Sequence, residues 1–515
     1  MMFQPLSDSW TPLEAAHLLR RAGFGGSPDD IAKFHALGRI QAVDSLLHPQ
    51  ESLDAFPLPE WAVPEKALAD MRQRQEEVRA ARGMHPELSP DEAEKLKRAT
   101  NQKYQKEYRM ETAEAQAWWF HRMLATQAPL REKMVLFWHD HFASSIQKVK
   151  QPYPMLKQNE LFRQNAFGSF KELTHAIVRD PAMMLYLDTQ SSKKGKPNEN
   201  FPRELMELFT LGEGHYTEAD IKEAARALTG YQINRQEGTV VHNKRQWDNG
   251  DKTIYGKTGK FDGDDVVNLI FELPAAASML PAKLWSYFVS EDPAAEIVDA
   301  LAASFKASDF KIEPLLRQIF LSKEFNAESV VRNQIKCPVQ YLIQLFKELE
   351  VPSPPPVYLL TSEQQLGQIL FAPPNVAGWD WGKGWINTNT LLSRYNIAGF
   401  VTKGSTDAPG EAGSDGDAMM VADASAKKFV VNAMRRAQRN WQGPDYEKIS
   451  PRPLREDPAA LVDSLIQRFF QAPVGDRQRE AFVAYAVEKK GAIFTNHEVA
   501  ELCHLMLSTP SYQLA

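Results

Sequence analysis

The stretch Thr11–Gly23, TPLEAAHLLRRAG, carries the first clear signal of fold. Thr11 offers an N-cap oxygen, Pro12 suits the first helical position, Glu14 stands three residues after the cap, and Gly23 is a stop. Leu13, Ala16 and His17 follow the three-and-four spacing of one helical face. Ser27, Pro28, Asp30 and Gly38 repeat this grammar. So do Ser89, Pro90 and Glu92 without the glycine, and Thr217, Asp220 and Gly230 without the proline. Strand-like alternation is confined to Tyr231–Val241 and Thr253–Tyr255. The pattern predicts a mainly α protein: a multi-helix bundle or array with a small irregular β or loop insertion and a C-terminal helical subdomain.

Composition agrees with a folded chain of this kind. The 515 residues are 43% hydrophobic and 24% charged, enough to bury a large core without a disulfide or metal. Lys and Arg number 60 against 66 Asp and Glu, a net charge of -6, so no global field for nucleic acid is present. Only Cys337 and Cys503 occur, which excludes four-cysteine zinc sites, four-thiolate iron–sulfur clusters and a disulfide framework within one chain. No run of about 18 apolar residues is found, so no transmembrane segment is expected. The opening residues lack a basic stretch followed by an apolar one, and a cytoplasmic location is expected.

The organisation expected is a main helical body over 1–401, a flexible Gly/Ser/Asp linker over 402–425, and a C-terminal helical region over 426–515 packed on or beside the body. Within the body, residues 67–115 are unusually polar and broken at Gly83–Pro90, which predicts a projecting charged helical hairpin. Asp292-Pro293-Ala294-Ala295 and Asp457-Pro458-Ala459-Ala460 each lead into an apolar helical run, a weak internal echo suggesting two matched hairpins.

Four long segments carry a family resemblance. They are HLLRRAGFGGSPDDI (His17–Ile31), EKMVLFWHDHFASS (Glu132–Ser145), the 34 residues from Asn198 to Tyr231, and LGQILFAPPNVAGWDWGKGWINTNTLLSRYNIA (Leu366–Ala398). Together with the ending LMLSTPSYQL, they make the chain resemble bacterial proteins of the domain-of-unknown-function family 1800 over nearly its full length. The resemblance implies no defined activity. It does imply a sulfatase-like protein as a partner, since such proteins are often encoded beside family members.

The candidate site residues fall into three groups. His139, Asp140 and His141 bear metal-ligand chemistry, although residues two apart on a helix point about 200° apart. Arg203, Glu204, Glu207, Glu223 and Arg226 interrupt apolar helical faces, and with His139, Asp140 and His141 they are expected to line one polar pocket. His139, His141, Glu204 and Glu207 form the candidate set for a divalent metal. A Gly/Pro-rich loop places Asn375, Trp379, Trp381, Trp385, Asn387 and Arg394 together, suited either to stacking on a carbohydrate or to pinning the loop across the body. The acidic segment Trp247–Asp265 lacks the calcium-loop spacing and reads as turns ending in a helix cap.

No G-x-S-x-G elbow, H-E-x-x-H motif or phosphate loop is present. Three functions follow as expectations. The first is a non-catalytic accessory or assembly protein acting with a sulfatase-like partner. The second is a metal-dependent hydrolase or oxidoreductase. The third is a carbohydrate-binding protein using the tryptophan loop. The lack of a sharp catalytic motif favours the first.

Overall fold

A computed structural model describes residues 10–83, 88–234, 237–352, 354–403, 442–489 and 494–515. The described chain is mainly helical, with two small two-stranded sheets. It opens with α1 (Pro12–Arg21), α2 (Pro28–Leu37) and α3 (Arg39–Leu47). Thr11 with Glu14, Ser27 with Asp30, Ser89 with Glu92 and Thr217 with Asp220 each close a reciprocal capping box. Each box pairs exposed amides at a helix start that no turn can satisfy. Asp262 and Asp265 close a further box at Gly263–Glu272, so the acidic tail of the 247–265 segment is a helix start.

Three of the four described strands overlap the stretches whose alternation predicts them; the fourth, Lys257–Gly259, follows them. β1 (Tyr231–Asn234) pairs antiparallel with β2 (Thr239–His242), and β3 (Lys252–Ile254) with β4 (Lys257–Gly259). Tyr231 faces His242 in register, and their rings stack at 4.4 Å. Gly230 precedes β1 at φ +84°, where a Cβ would lie 2.7 Å from the Asn243 carbonyl oxygen. Only glycine fits that entry.

The charged stretch 67–115 folds as α4 (Pro64–Arg82) and α5 (Pro90–Ala125), which pack against each other. α5 has 36 residues, a rod of about 54 Å. It starts in solvent and ends in the core, where Trp119, Phe120 and Met123 are fully buried. Polar links tie the pair: Glu77 accepts from Lys103 at 2.8 Å and from the Tyr104 hydroxyl at 2.6 Å, and Arg74 pairs with Glu107 and Glu111. Exposed pairs each contribute about 0–1 kcal/mol. The anchored end of α5 therefore does most to hold the hairpin in place.

The helix Thr388–Lys403 continues through Thr402 and Lys403, so the linker does not begin at 402. The remainder of the expected linker, 404–425, and residues 426–441 lie outside the described residues. The C-terminal helices dock on the body. The Tyr446 hydroxyl donates to the Thr402 carbonyl at 2.6 Å, Arg20 donates to Gln471 O at 3.0 Å, and the Tyr512 hydroxyl donates to Glu348 at 2.7 Å. The two Asp-Pro-Ala-Ala copies differ in conformation. Asp457 caps Pro458–Phe469, whereas Asp292 sits at φ +53° and the cap position of Ala295–Ala307 is Ala294. Among the described residues no single helix is long and apolar enough to cross a membrane; Gly263–Glu272 and Pro274–Phe288 pass together but are bent by 82°.

Candidate functional site

The helix α6 (Pro129–His141) follows α5 and ends on His139-Asp140-His141, after which Phe142 leaves helical geometry. Consecutive helical residues diverge by about 100°. The three side chains accordingly reach three different parts of the fold.

His139 is wholly buried among Trp119, Phe162 and Phe371, with ring centroids 4.6, 4.9 and 5.2 Å away. Its Nε2 accepts from the Asn159 amide at 3.1 Å. Burial, with Arg163 nearby, drops its pKa to about 3, so the ring is neutral at ordinary pH.

Asp140 reaches the tryptophan loop. One carboxylate oxygen accepts the Trp379 backbone N–H at 2.6 Å, and the other accepts the Trp381 indole N–H at 2.8 Å. Gly378 sits at φ +97°, and a Cβ there would lie 2.3 Å from Asp140 Oδ1. Burial lifts the Asp140 pKa to about 7, against the pull of those donors and of Lys283.

His141 reaches the segment after the helix Asn200–Glu204. That segment, Leu205–Thr210, is a π-helical turn. The His141 Nε2–H donates to the Phe209 carbonyl at 3.0 Å, and Lys283 Nζ donates to the Leu208 carbonyl at 2.9 Å. Lys283 Nζ also lies 3.4 Å from His141 Nδ1. Two carbonyls at the end of the π turn are thus satisfied by side chains. Burial lowers the Lys283 pKa to about 8 and Asp140 opposes it.

A cavity of about 70 Å³ lies beneath the tryptophan loop, lined by Lys133, Leu136 and Asp140 of α6 together with Tyr287, Cys337 and the loop indoles. The α6 residues fall at i, i+3 and i+7, which is one helical face. Lys133 is buried; its Nζ donates to Gln340 Oε1 at 2.8 Å and lies 5.1 and 5.4 Å from the Phe24 and Tyr287 ring centres. Burial lowers its pKa to about 8, with Cys337 countering and Arg21 adding to the shift. Trp379 and Trp385 are each 5% exposed while Trp381 is 43% exposed. Two indoles therefore pin the loop and the third forms the rim.

The polar pocket expected from the sequence does not assemble. Arg203 pairs with Glu218 at 2.7 and 2.9 Å, Glu207 accepts from the Tyr216 hydroxyl, and Arg226 pairs with Glu223 at 2.7 Å and Asp248 at 2.9 Å. Glu204 is half-buried and shows no hydrogen bond or ion pair among the described residues; burial and then Glu207 raise its pKa. A π turn begins at Leu205, and Glu207 beyond its start still lies close enough to Glu204 to act on its carboxyl. The metal set does not assemble either. His139 and His141 are bonded to different elements, and among the described residues no group of three or more His, Cys, Asp or Glu side chains is arranged to hold an ion. Of the loop candidates, the three tryptophans line the cavity. Asn375 accepts from Ala377 N, Asn387 accepts from Thr390 N at the start of Thr388–Lys403, and buried Arg394 donates to Gln513 and Lys336 O.

Sequence reasoning missed Lys133, Lys283, Tyr287 and Cys337. The signal available was Lys133 directly before the apolar run Met134–Trp138, on the helical face of Leu136 and Asp140. It also missed the buried network beside His139. Glu132 accepts from Arg163 at 2.6 and 2.9 Å and from Arg122 at 2.9 Å, all three side chains being fully buried. Burial pushes the Glu132 carboxyl up, but the two guanidiniums more than offset it.

The profile of a family described as "Protein of unknown function (DUF1800)" matches residues 17–514. The chain belongs to this family. No curated protein and no solved structure matches it. In this DUF1800 protein, His139-Asp140-His141 joins an aromatic core, a loop and a π turn at one helix end.

A concavity larger than the one beneath the tryptophan loop lies elsewhere in the DUF1800 chain. A groove of about 1050 Å³ runs between the α4–α5 hairpin and the body. Among the described residues Arg74, Arg79, Arg82 and Lys150 line it with two acids, Asp70 and Glu111, and Tyr104, Tyr108 and Tyr153 supply aromatic surface. Arg79 and Arg82 are exposed.

Proposed function

We propose that this protein is a non-catalytic accessory protein that docks an acidic helical segment of a partner protein in the groove beside the α4–α5 hairpin. The observation that carries the reading is the groove itself: about 1050 Å³, lined among the described residues by Arg79, Arg82 and Lys150 beside the Arg74 pairs with Glu107 and Glu111, with tyrosine rings between them. A basic, tyrosine-bearing cleft complements a negatively charged amphipathic helix in charge and in apolar surface. The placement of His139, Asp140 and His141 supports the same reading, since each is engaged with its own fold. The partner is a sulfatase-like protein, as the family resemblance implies.

Co-expression with a sulfatase-like protein tests this. The tagged wild type should retain the partner. The double variant Arg79→Glu/Arg82→Glu should retain about tenfold less, a loss of roughly 1.4 kcal/mol, with an unchanged melting temperature. High salt should weaken capture by the wild type. Equal retention by wild type and variant, or none by the wild type, would refute the groove as the docking site.

A further inference from the structure

We propose that Lys133 is a nucleophilic amine that condenses reversibly with a small aldehyde or ketone in the cavity beneath Trp381. This goes beyond the docking reading and uses a different part of the molecule. The geometry is that of an amine held without a counterion. Nζ has one oxygen partner, Gln340 Oε1 at 2.8 Å, and two aromatic rings. No ion pair links it to a carboxylate among the described residues. The carboxylates that face the cavity are Asp140, Glu291 and Asp380, and the other titratable groups there are Tyr287 and Cys337. Asp140 is two helical turns from Lys133, about 10 Å along the axis, and its oxygens are taken by the tryptophan loop. No carboxylate is paired with the buried ammonium among the described residues, and the Gln340 oxygen, the two rings and Cys337 offset its burial only in part, so the neutral amine is favoured at a pH where exposed lysines are protonated.

The cavity sets the class of ligand. At about 70 Å³ it holds roughly two waters, or an organic molecule of about four non-hydrogen atoms. Hydrophobic Leu136 and the rings of Tyr287, Trp379 and Trp385 line it, and exposed Trp381 stands at the rim. A short carbonyl compound fits such a space. The step balances without an added reagent. The nitrogen lone pair attacks the carbonyl carbon, a C–N bond forms, and the C=O π pair moves to oxygen. The two amine hydrogens then leave with that oxygen as water, giving an imine.

Lys336 supplies an internal control. It is also buried, and burial likewise lowers its pKa, to about 7, but it lies 3.7 Å from the Tyr512 ring centre and does not line the cavity.

The test uses the intact protein near pH 8, glycolaldehyde as the carbonyl, sodium cyanoborohydride to fix any imine, and peptide mass spectrometry to locate it. Near that pH about half of Lys133 is neutral, against well under about 1% of an ordinary lysine. After allowing for restricted entry, Lys133 should carry at least about ten times the adduct found on exposed Lys196 or Lys383, and Lys336 should carry none. Unfolding in urea should erase the preference, and Lys133→Met should remove the signal. Labelling of Lys133 no greater than that of Lys196 and Lys383, or equal labelling of Lys336, would overturn the proposal; neither outcome depends on a variant that folds.

Discussion

Neutrality keeps His139 in its aromatic box. Its pKa is about 3 in the fold and about 6.5 when unfolded. Between those values the unfolded chain binds more protons, so the stability His139 confers is present above about pH 6.5 and is lost as pH falls toward 3. Buried His17 and His141 act in the same direction. Asp140 and Asp180 act in the opposite one: both are raised to about 7 by burial, so the folded state binds more protons and gains stability as pH falls from about 7 to about 4. Replacing His139 by Gln retains an acceptor for Asn159 and removes the titration. Urea denaturation should show that the wild type loses up to about 2 kcal/mol more than His139→Gln between about pH 6.5 and about pH 5. A second residue-scale expectation concerns Glu132. Glu132→Gln leaves Arg122 and Arg163 buried and underpaired, and should destabilise by about 3–5 kcal/mol. A loss under about 1 kcal/mol would show that the network is solvated in solution. Glu204→Gln, by contrast, should change stability by less than about 0.5 kcal/mol, because no hydrogen bond depends on it. The residues that matter at this scale were hard to read from sequence. His139-Asp140-His141 stood out by composition, but nothing local told which neighbour each would meet.

At the scale of elements, the tryptophan loop and the end of α6 behave as one unit joined by Asp140 and Gly378. Gly378→Ala would force a side chain into the left-handed region and against the Asp140 carboxylate. The strain alone is about 1–3 kcal/mol. The variant should melt lower and show red-shifted tryptophan emission as Trp379 becomes wet. Unchanged melting and emission would mean that the loop does not press on Asp140. Helix starts were legible because capping is a local matter: Thr11, Ser27, Ser89 and Thr217 each met the acidic residue three positions on. The π turn at Leu205–Thr210 was not. Its carbonyls are satisfied by His141 and Lys283, far along the chain, and no short-range pattern in LMELFT announces that.

At the scale of the whole molecule, two features compete for the role of functional surface. One is the small cavity under Trp381 and the other is the long groove beside the hairpin. The sequence marked both regions, the first by its tryptophans and the second by its charge. It could not show that α5 begins in solvent and ends in the core, which makes the hairpin a wall of the groove instead of a loose arm. Hydrogen exchange separates the two, because docking protects only the backbone it covers or stiffens. The direct measurement is hydrogen–deuterium exchange of the full chain with and without a purified sulfatase-like protein of the kind proposed as its partner. The docking account predicts slowed exchange in 74–82, 104–111 and 147–154, with Trp379–Trp385 unchanged. Protection confined to Trp379–Trp385, or no protection along the groove, would contradict it.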